Sequence, residues 1–218
     1  SAVSTNYIAI PPDILKTYQD ITLSADIMFV NKIPFFVTLS KHIKYYTGEK
    51  LKDQESGTLT TALTRVCGLY QRRGFKVTTC LMDNQFEAIR TPLVTQQPNL
   101  NLNICAPEEH VPEIERGVRT IKERTRSVVT TLPFKTLPRL LVIHAVFFSI
   151  MWLNFLPPTS GASPNLSPET IIKGRAPDAT LHCKLPFGSY AQVHQATDND
   201  VMRSRTVGGI CLGPTGNL

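Results

Sequence analysis

Continuous and alternating apolar runs divide the first part of the chain into three predicted strands. The run from Ile21 to Val30 is apolar on both faces, which predicts a strand buried on both sides of a sheet. Asn31-Lys32 predicts a tight turn into a second apolar strand over Ile33 to Leu39, and Ile43 to Thr47 predicts a third strand. Because short connections join all three, this opening predicts an antiparallel meander.

The apolar period then changes to that of a helix. Apolar residues recur at steps of three and four from Leu59 to Tyr70, and Gly74 follows where a glycine that caps a helix C-terminus would lie. Strand patterns return over Phe75 to Met82 and Leu100 to Cys105, and the segment between them can hold a short crossover. The chain therefore alternates helix and strand after the meander.

Two further helices are predicted in the second half of the chain. The segment from Glu108 to about Val129 has an apolar stripe at helical spacing, which predicts an amphipathic helix. Leu140 to Leu156 is almost entirely apolar, but its 17 residues fall short of the about 20 that a bilayer crossing needs. We interpret it as a helix buried in a protein core. Three antiparallel strands followed by alternating helices and strands predict an α/β fold, a ribonuclease-H-like mixed sheet with flanking helices.

The composition of the chain changes after this core. We predict a catalytic core over 18–157, a linker over 158–180 that begins with a Pro-, Ser- and Gly-rich stretch, and a partial β module over 181–218. Strand patterns around Gly188 to His194 and Thr206 to Leu212 support the small module.

Charge and cysteine usage narrow the class of protein. Hydrophobic residues make up 42% and charged residues 18% of the chain, which is a globular composition. A net charge of +6 favours a polyanionic partner. The five cysteines are widely spaced and include no C-x-x-C pair, which indicates reduced thiols in an intracellular protein rather than a disulfide framework or a zinc finger.

Two aspartates on predicted strands are candidate metal ligands. Asp26 lies in the middle of an apolar strand, where a carboxylate is costly unless it is paired or bound to a cation. Asp83 ends a later strand, where a ligand crevice opens in α/β sheets. The alternatives are a buried basic partner for Asp26 and ordinary Asp-Asn turn chemistry for Asp83.

A third acid is expected near the start of the amphipathic helix. Four glutamates lie there: Glu108, Glu109, Glu113 and Glu115. Glu115 heads a row that continues with basic residues at helical spacing, as a phosphodiester substrate requires: Arg119, Lys122 and Arg126. The alternative is a solvated helix face joined by ion pairs.

A wider pattern favours Glu115. The sequence Val-Pro-Glu-Ile-Glu-Arg-Gly-Val-Arg-Thr-Ile-Lys-Glu-Arg-Thr-Arg from Val111 resembles the helix of copia-type retrotransposon integrases that carries the last acid of the D,D,E motif. Asp26, in Ala-Asp-Ile-Met-Phe-Val-Asn, and Asp83, in Leu-Met-Asp-Asn-Gln-Phe-Glu, are similar to the first two motifs. Between the three acids lie 56 residues (27 to 82) and 31 residues (84 to 114), and the second gap is close to the family spacing. Trp152-Leu-Asn-Phe-Leu-Pro-Pro and the segment from Ser167 resemble later parts of the same family.

The resemblance implies the integrase of a copia-type LTR retrotransposon Pol polyprotein. Such a protein is a polynucleotidyl transferase and endonuclease in which Asp26, Asp83 and Glu115 are both catalytic and metal-binding. They would hold two Mg²⁺ or Mn²⁺ ions about 4 Å apart for 3′-end processing and strand transfer. The expected partner is double-stranded DNA, both element ends and target, held at the phosphates by the basic row. A homo-oligomer with no membrane association is expected, acting in the nucleus after a cytoplasmic particle stage.

Some residues depart from the family pattern. Gln85 replaces the glycine that follows Asp-Asn, Gly117-Val118 replaces Met-Asn after the last acid, and the N-terminal His/Cys zinc module is absent. His110 is a candidate to orient phosphate or water. The alternatives are a catalytically degenerate or domesticated integrase-like domain that binds DNA or protein, another ribonuclease-H-like nuclease or transposase, and an assembly module that uses the apolar helix at 140–156.

Overall fold

A five-stranded mixed sheet forms the centre of the molecule. The structure, a computed structural model, describes residues 7–105, 111–195 and 204–214. The sheet has the order β3-β2-β1-β4-β5, in which β2 runs antiparallel to β1 and β3, while β1, β4 and β5 are parallel. This arrangement confirms the predicted ribonuclease-H-like fold class. The strands are β1 (Asp20–Val30), β2 (Ile33–Ser40), β3 (Tyr46–Lys50), β4 (Lys76–Met82) and β5 (Asn101–Ile104).

Helices cover both faces of this sheet. The helices are α1 (Pro12–Tyr18), α2 (Ser56–Gln71), α3 (Arg90–Gln96) after a 3₁₀ turn (Asn84–Ile89), α4 (Pro112–Thr130), α5 (Arg139–Phe155), α6 (Pro168–Lys173) and α7 (Ala179–His182). One core cluster joins α2 to the face that carries Leu23 and Ile27. A second cluster joins α4 and α5 to the opposite face, which carries Met28. The alternation along β1 therefore turns Asp26 toward the α4 side of the sheet.

The turn between β1 and β2 fixes the register of the meander. Asn31 and Lys32 have φ angles of 47° and 64°, the left-handed pair that a two-residue hairpin turn requires. Val30 consequently pairs with Ile33, and each buried residue of β2 faces the helix layer that its neighbours on β1 face. The turn predicted at Asn31-Lys32 is confirmed.

The third strand begins later than the sequence predicted. It covers Tyr46–Lys50 rather than Ile43 to Thr47. Lys44 has a φ angle of 61°, and the Tyr45 N–H donates to Ser40 Oγ at 3.0 Å, so Ile43 to Tyr45 belong to the connection over 41–45 that returns the chain. The prediction was wrong because Ile43 and Tyr45 are apolar and buried without belonging to a strand.

Helix α6 lies inside the stretch that was predicted as a linker. Ser167 Oγ accepts the Thr170 N–H at 3.1 Å, and Gly174 closes the helix with a φ angle of 73°. Ile171 and Ile172 are buried in the same core cluster as α2. The segment 158–180 therefore contributes to the main core, whereas the domain boundaries themselves stay a prediction.

Arg73, at the end of α2, ties α6 to the beginning of the described chain. Its Nε donates to the carbonyl oxygen of Ile171 at 2.9 Å, and its Nη2 donates to that of Ile8 at 3.0 Å. The guanidinium also lies 4.6 Å from the centre of the Tyr7 ring. This arginine therefore acts as a structural clamp.

The remaining strands form a separate two-stranded hairpin. It consists of β6 (Tyr190–His194) and β7 (Thr206–Ile210), paired antiparallel. Both predicted strands are confirmed, although Tyr190, Val193 and Val207 stay exposed. Within the described ranges, no helix combines the length and the apolar character that a membrane crossing requires.

Candidate functional site

The parallel pairing of β1 and β4 brings two of the predicted acids to one edge of the sheet. The register pairs Ala25 with Met82, so Asp26 and Asp83 are the next residues on the two neighbouring strands. Both are half-buried. Asp83 leaves the sheet there and begins the 3₁₀ turn. Both aspartates therefore lie beside the carboxyl end of β4, the place where α/β sheets bind their ligands.

The third predicted acid approaches this edge from the helix above it. Glu115 lies in the first turn of α4, is exposed, and follows the buried Ile114, which anchors the helix to the sheet. Its backbone N–H donates to the Val111 carbonyl at 3.2 Å, so the position is held by regular helix geometry.

The charges of Asp83 and Glu115 act on Asp26. The pKa of Asp26 is raised above its ordinary value, first because burial disfavours the charged form and then because Asp83 and Glu115 are negative neighbours. The Ile27 N–H, which donates to Asp26 Oδ1 at 2.6 Å, and the positive charge of Lys122 oppose this rise. The predicted acids and one residue of the predicted basic row therefore share one electrostatic environment.

The side chains of Asp26, Asp83 and Glu115 do not form a complete metal-coordination site among the described residues. Across residues 7–105, 111–195 and 204–214, no three His, Cys, Asp or Glu side chains are arranged to hold a metal ion. The donor chemistry nevertheless fits a divalent cation such as Mg²⁺, which prefers carboxylate oxygens and would relieve the repulsion around Asp26. The assignment of Asp26, Asp83 and Glu115 as metal ligands stays a prediction.

Glu113 forms a salt bridge with Lys44, which distinguishes its surroundings from those of Glu115. Lys44 Nζ lies 2.5 Å from Glu113 Oε1, and both side chains are three-quarters buried. The charge of Glu113 also raises the pKa of Tyr46, after burial, which is the larger cause. Glu113 therefore serves the junction between α4 and the turn before β3, whereas Glu115 acts on Asp26. This contact is invisible in the sequence because 68 residues (45 to 112) separate its partners.

The unusual Gly117 has a packing explanation. A Cβ atom at this position would lie 2.8 Å from Cε1 of Tyr46, closer than two carbon atoms can approach. Gly117 is buried on the side of α4 that meets β3. The departure from the family pattern after Glu115 thus accommodates an aromatic ring from the sheet.

Gln85, the other departure from the family pattern, lies at the part of the sheet that carries Asp26 and Asp83, with Glu115 nearby on α4, which we call the acidic edge. Its Nε2 donates to Asp26 Oδ1 at 3.2 Å. The sequence identified this residue only as a missing glycine. Only its position directly after the Asp83-Asn84 pair indicated that its side chain could reach Asp26 on β1.

The basic row of α4 is not uniform. Arg119 Nε lies 3.0 Å from Glu123 Oε1 in an exposed pair, whereas Lys122 acts on Asp26. Lys122 and Arg126 also line a cleft of about 260 Å³ between α4 and the β1–β2 turn. The cleft has basic side chains on one wall and apolar contributions from Val30, Val129, Leu137 and Val142. His110, Glu108 and Glu109 lie outside the described residues.

Strand order, register and the acidic edge define a ribonuclease-H-like domain with a candidate cation site. No protein-family model matches the chain, and no curated protein matches it. A solved structure that resembles it is the catalytic core domain of BIV integrase, at 16% identity and a TM-score of 0.49, over 70% of this chain and 93% of that one. The fold assignment rests on the strand order and register rather than on this likeness.

Proposed function

We propose that the chain is the catalytic part of a copia-type retrotransposon integrase, a divalent-metal-dependent enzyme that processes DNA 3′ ends and joins them to a target duplex. The observation that carries the proposal is the effect of Asp83 and Glu115 on half-buried Asp26 at the carboxyl edge of the sheet. Two half-buried aspartates and an exposed glutamate of like charge repel one another, and a bound cation would relieve that repulsion. The motifs around the three acids supply the finer identity.

The roles of the residues follow from their positions. Asp26 and Asp83, fixed by paired strands, and Glu115, fixed by a helix, would hold Mg²⁺ or Mn²⁺. Bound ions would activate water or a 3′-hydroxyl and stabilise the leaving oxygen of an in-line displacement. Lys122 and Arg126, which line the cleft beside the β1–β2 turn, would bind phosphates of a DNA strand. Arg119, which is paired with Glu123, is expected to contribute less.

The wider biology belongs to the same proposal. The partners would be element ends and target DNA, bound by a homo-oligomer, because strand transfer joins two ends to one duplex. Action in the nucleus after a cytoplasmic particle stage follows from that role.

The test uses an oligonucleotide duplex that reports both nicking and joining in Mg²⁺ or Mn²⁺. Asp26→Asn, Asp83→Asn and Glu115→Gln should each lower both rates by more than the about 100-fold that a change beside a metal ligand typically costs. Glu113→Gln is the matched control, since Glu113 lies in the same helical turn but pairs with Lys44. Full activity of Glu115→Gln, or its loss in Glu113→Gln alone, would contradict the assignment.

A second candidate is an integrase-like domain that binds DNA without cutting it. The absence of a gathered cage among the described side chains favours this alternative. It predicts that the wild-type protein binds duplex DNA and that neither metal supports nicking or joining. Hydrolysis without joining would instead indicate another nuclease of the same fold.

A further inference from the structure

Two N–H groups converge on one oxygen of Asp26. The backbone N–H of Ile27 donates to Oδ1 at 2.6 Å, and Nε2 of Gln85 donates to the same atom at 3.2 Å. A carboxylate oxygen offers about two lone-pair directions. Both directions of Oδ1 are therefore used by the protein itself.

The two donors differ in how easily they can leave. Ile27 belongs to the central strand β1 between two partners, so its N–H is fixed. Gln85 is an exposed side chain in the 3₁₀ turn that follows Asp83, and its hydrogen bond is the longer of the two. Rotation of its side chain would release the oxygen without moving the sheet.

We infer that Gln85 is a positioning residue that competes with the divalent cation for Asp26 Oδ1, so that the cation binds only as this side chain turns away. The inference rests on the proposed function, because it concerns the same acidic edge. In the absence of a cation the amide N–H occupies one lone-pair direction of Asp26 Oδ1. The competition sets the cation affinity of the site and leaves the identity of its ligands unchanged.

The experiment measures Mn²⁺ binding directly, by the loss of the free-ion electron paramagnetic resonance signal, in the whole chain without DNA. Gln85→Ala removes the amide and keeps an ordinary backbone. It should lower the Mn²⁺ dissociation constant by about fivefold, the scale of one typical net hydrogen bond. Gln54→Ala, at another exposed glutamine, should match the wild type, and Asp26→Asn should abolish binding. Circular dichroism of each variant verifies the fold.

The possible outcomes separate this inference from the proposed function. Weaker binding by Gln85→Ala would mean that the amide is itself a ligand, and unchanged binding would mean that it plays no part, so either result overturns the competition. Binding by Gln85→Ala alone, with none by the wild type, would support it most strongly. Absence of Mn²⁺ binding in the wild type and in Gln85→Ala alike would overturn both the inference and the metal site.

Discussion

Helices α4 and α5 pack on the same face of the sheet and have similar lengths, but they carry different kinds of polar residues. Helix α4 exposes a charged row and buries a narrow apolar stripe that includes Ile114 and Ile121. Helix α5 is apolar around most of its circumference, and two of its polar residues, Ser149 and Asn154, are buried. The charged side chains of α4 can therefore reach a ligand, whereas the buried polar side chains of α5 stabilise the fold.

The sharpest test of this contrast on the α5 side is Asn154→Ala. The Asn154 amide binds both backbone groups of Tyr46, accepting its N–H and donating to its carbonyl oxygen, each at 2.8 Å. Because the side chain is 3% exposed, its removal leaves buried partners unsatisfied. We expect the free energy of unfolding, measured in urea, to fall by about 2–4 kcal/mol. Asn103→Ala, at an exposed position of β5, is the control, and equal losses in the two variants would refute the role of Asn154.

Lys122→Glu tests the α4 side. It should weaken duplex DNA binding by about tenfold at low salt and make the affinity less dependent on salt, because a phosphate contact is lost. Arg119→Glu should have a smaller effect, since Arg119 is 81% exposed and already paired. Stability should change by no more than about 0.5 kcal/mol in either variant. Fluorescence anisotropy gives the affinities, with Lys16→Glu on α1 as the charge-matched control. A larger loss from Arg119→Glu would reverse the proposed order of the two basic residues.

The smallest expected effect concerns the stability cost of the acidic edge. Because the pKa of Asp26 is raised in the folded chain, the folded state binds this proton more readily than the unfolded state. Stability therefore falls as pH rises from the ordinary value of 3.8 through the raised pKa, and stays lower above it. Asp26→Asn should raise the melting temperature at pH 7 by about 1–2 °C in metal-free buffer, and the gain should vanish below pH 3.8.

Asp53 provides a control for this measurement, because its pKa is shifted in the opposite direction to that of Asp26. Asp53 has a lowered pKa, mainly because it accepts a hydrogen bond from the Thr58 hydroxyl, so Asp53→Asn should destabilise the protein at pH 7. Added Mn²⁺ should raise the melting temperature of the wild type and leave Asp26→Asn unchanged. Stabilisation of both aspartate variants at pH 7 would point to net charge rather than to the acidic edge.

The same contrast explains what the sequence could predict. Helical periodicity located α4, the almost entirely apolar run over 140–156 located α5, and apolar residues on both faces of β1 identified a strand buried on both sides of the sheet. The apolar pattern misplaced β3, because a buried turn can be as apolar as a strand. The linker prediction relied on composition alone. Ser167 as the N-cap, the proline after it and Gly174 as the C-cap are together typical of a short helix.

Details of the candidate site depended on contacts between distant parts of the chain. Strand patterns placed Asp26 within one strand and Asp83 at the end of another, but the parallel pairing that makes them neighbours is seen only in the structure. The salt bridge of Glu113, the fit of Gly117 against Tyr46 and the hydrogen bond from Gln85 involve partners on other elements. Such pairings have no local signature in the sequence, so they become visible only in the folded chain.

The clamp formed by Arg73 has a consequence for how the molecule would respond to a nick. Its guanidinium binds the carbonyl oxygens of Ile8 and Ile171, while Ile172 fills the core beneath α2. A protease that cleaved one peptide bond between Leu156 and Ser163 would sever the covalent path without releasing the C-terminal piece. The two pieces would remain associated through these contacts and would separate only when the core itself melts.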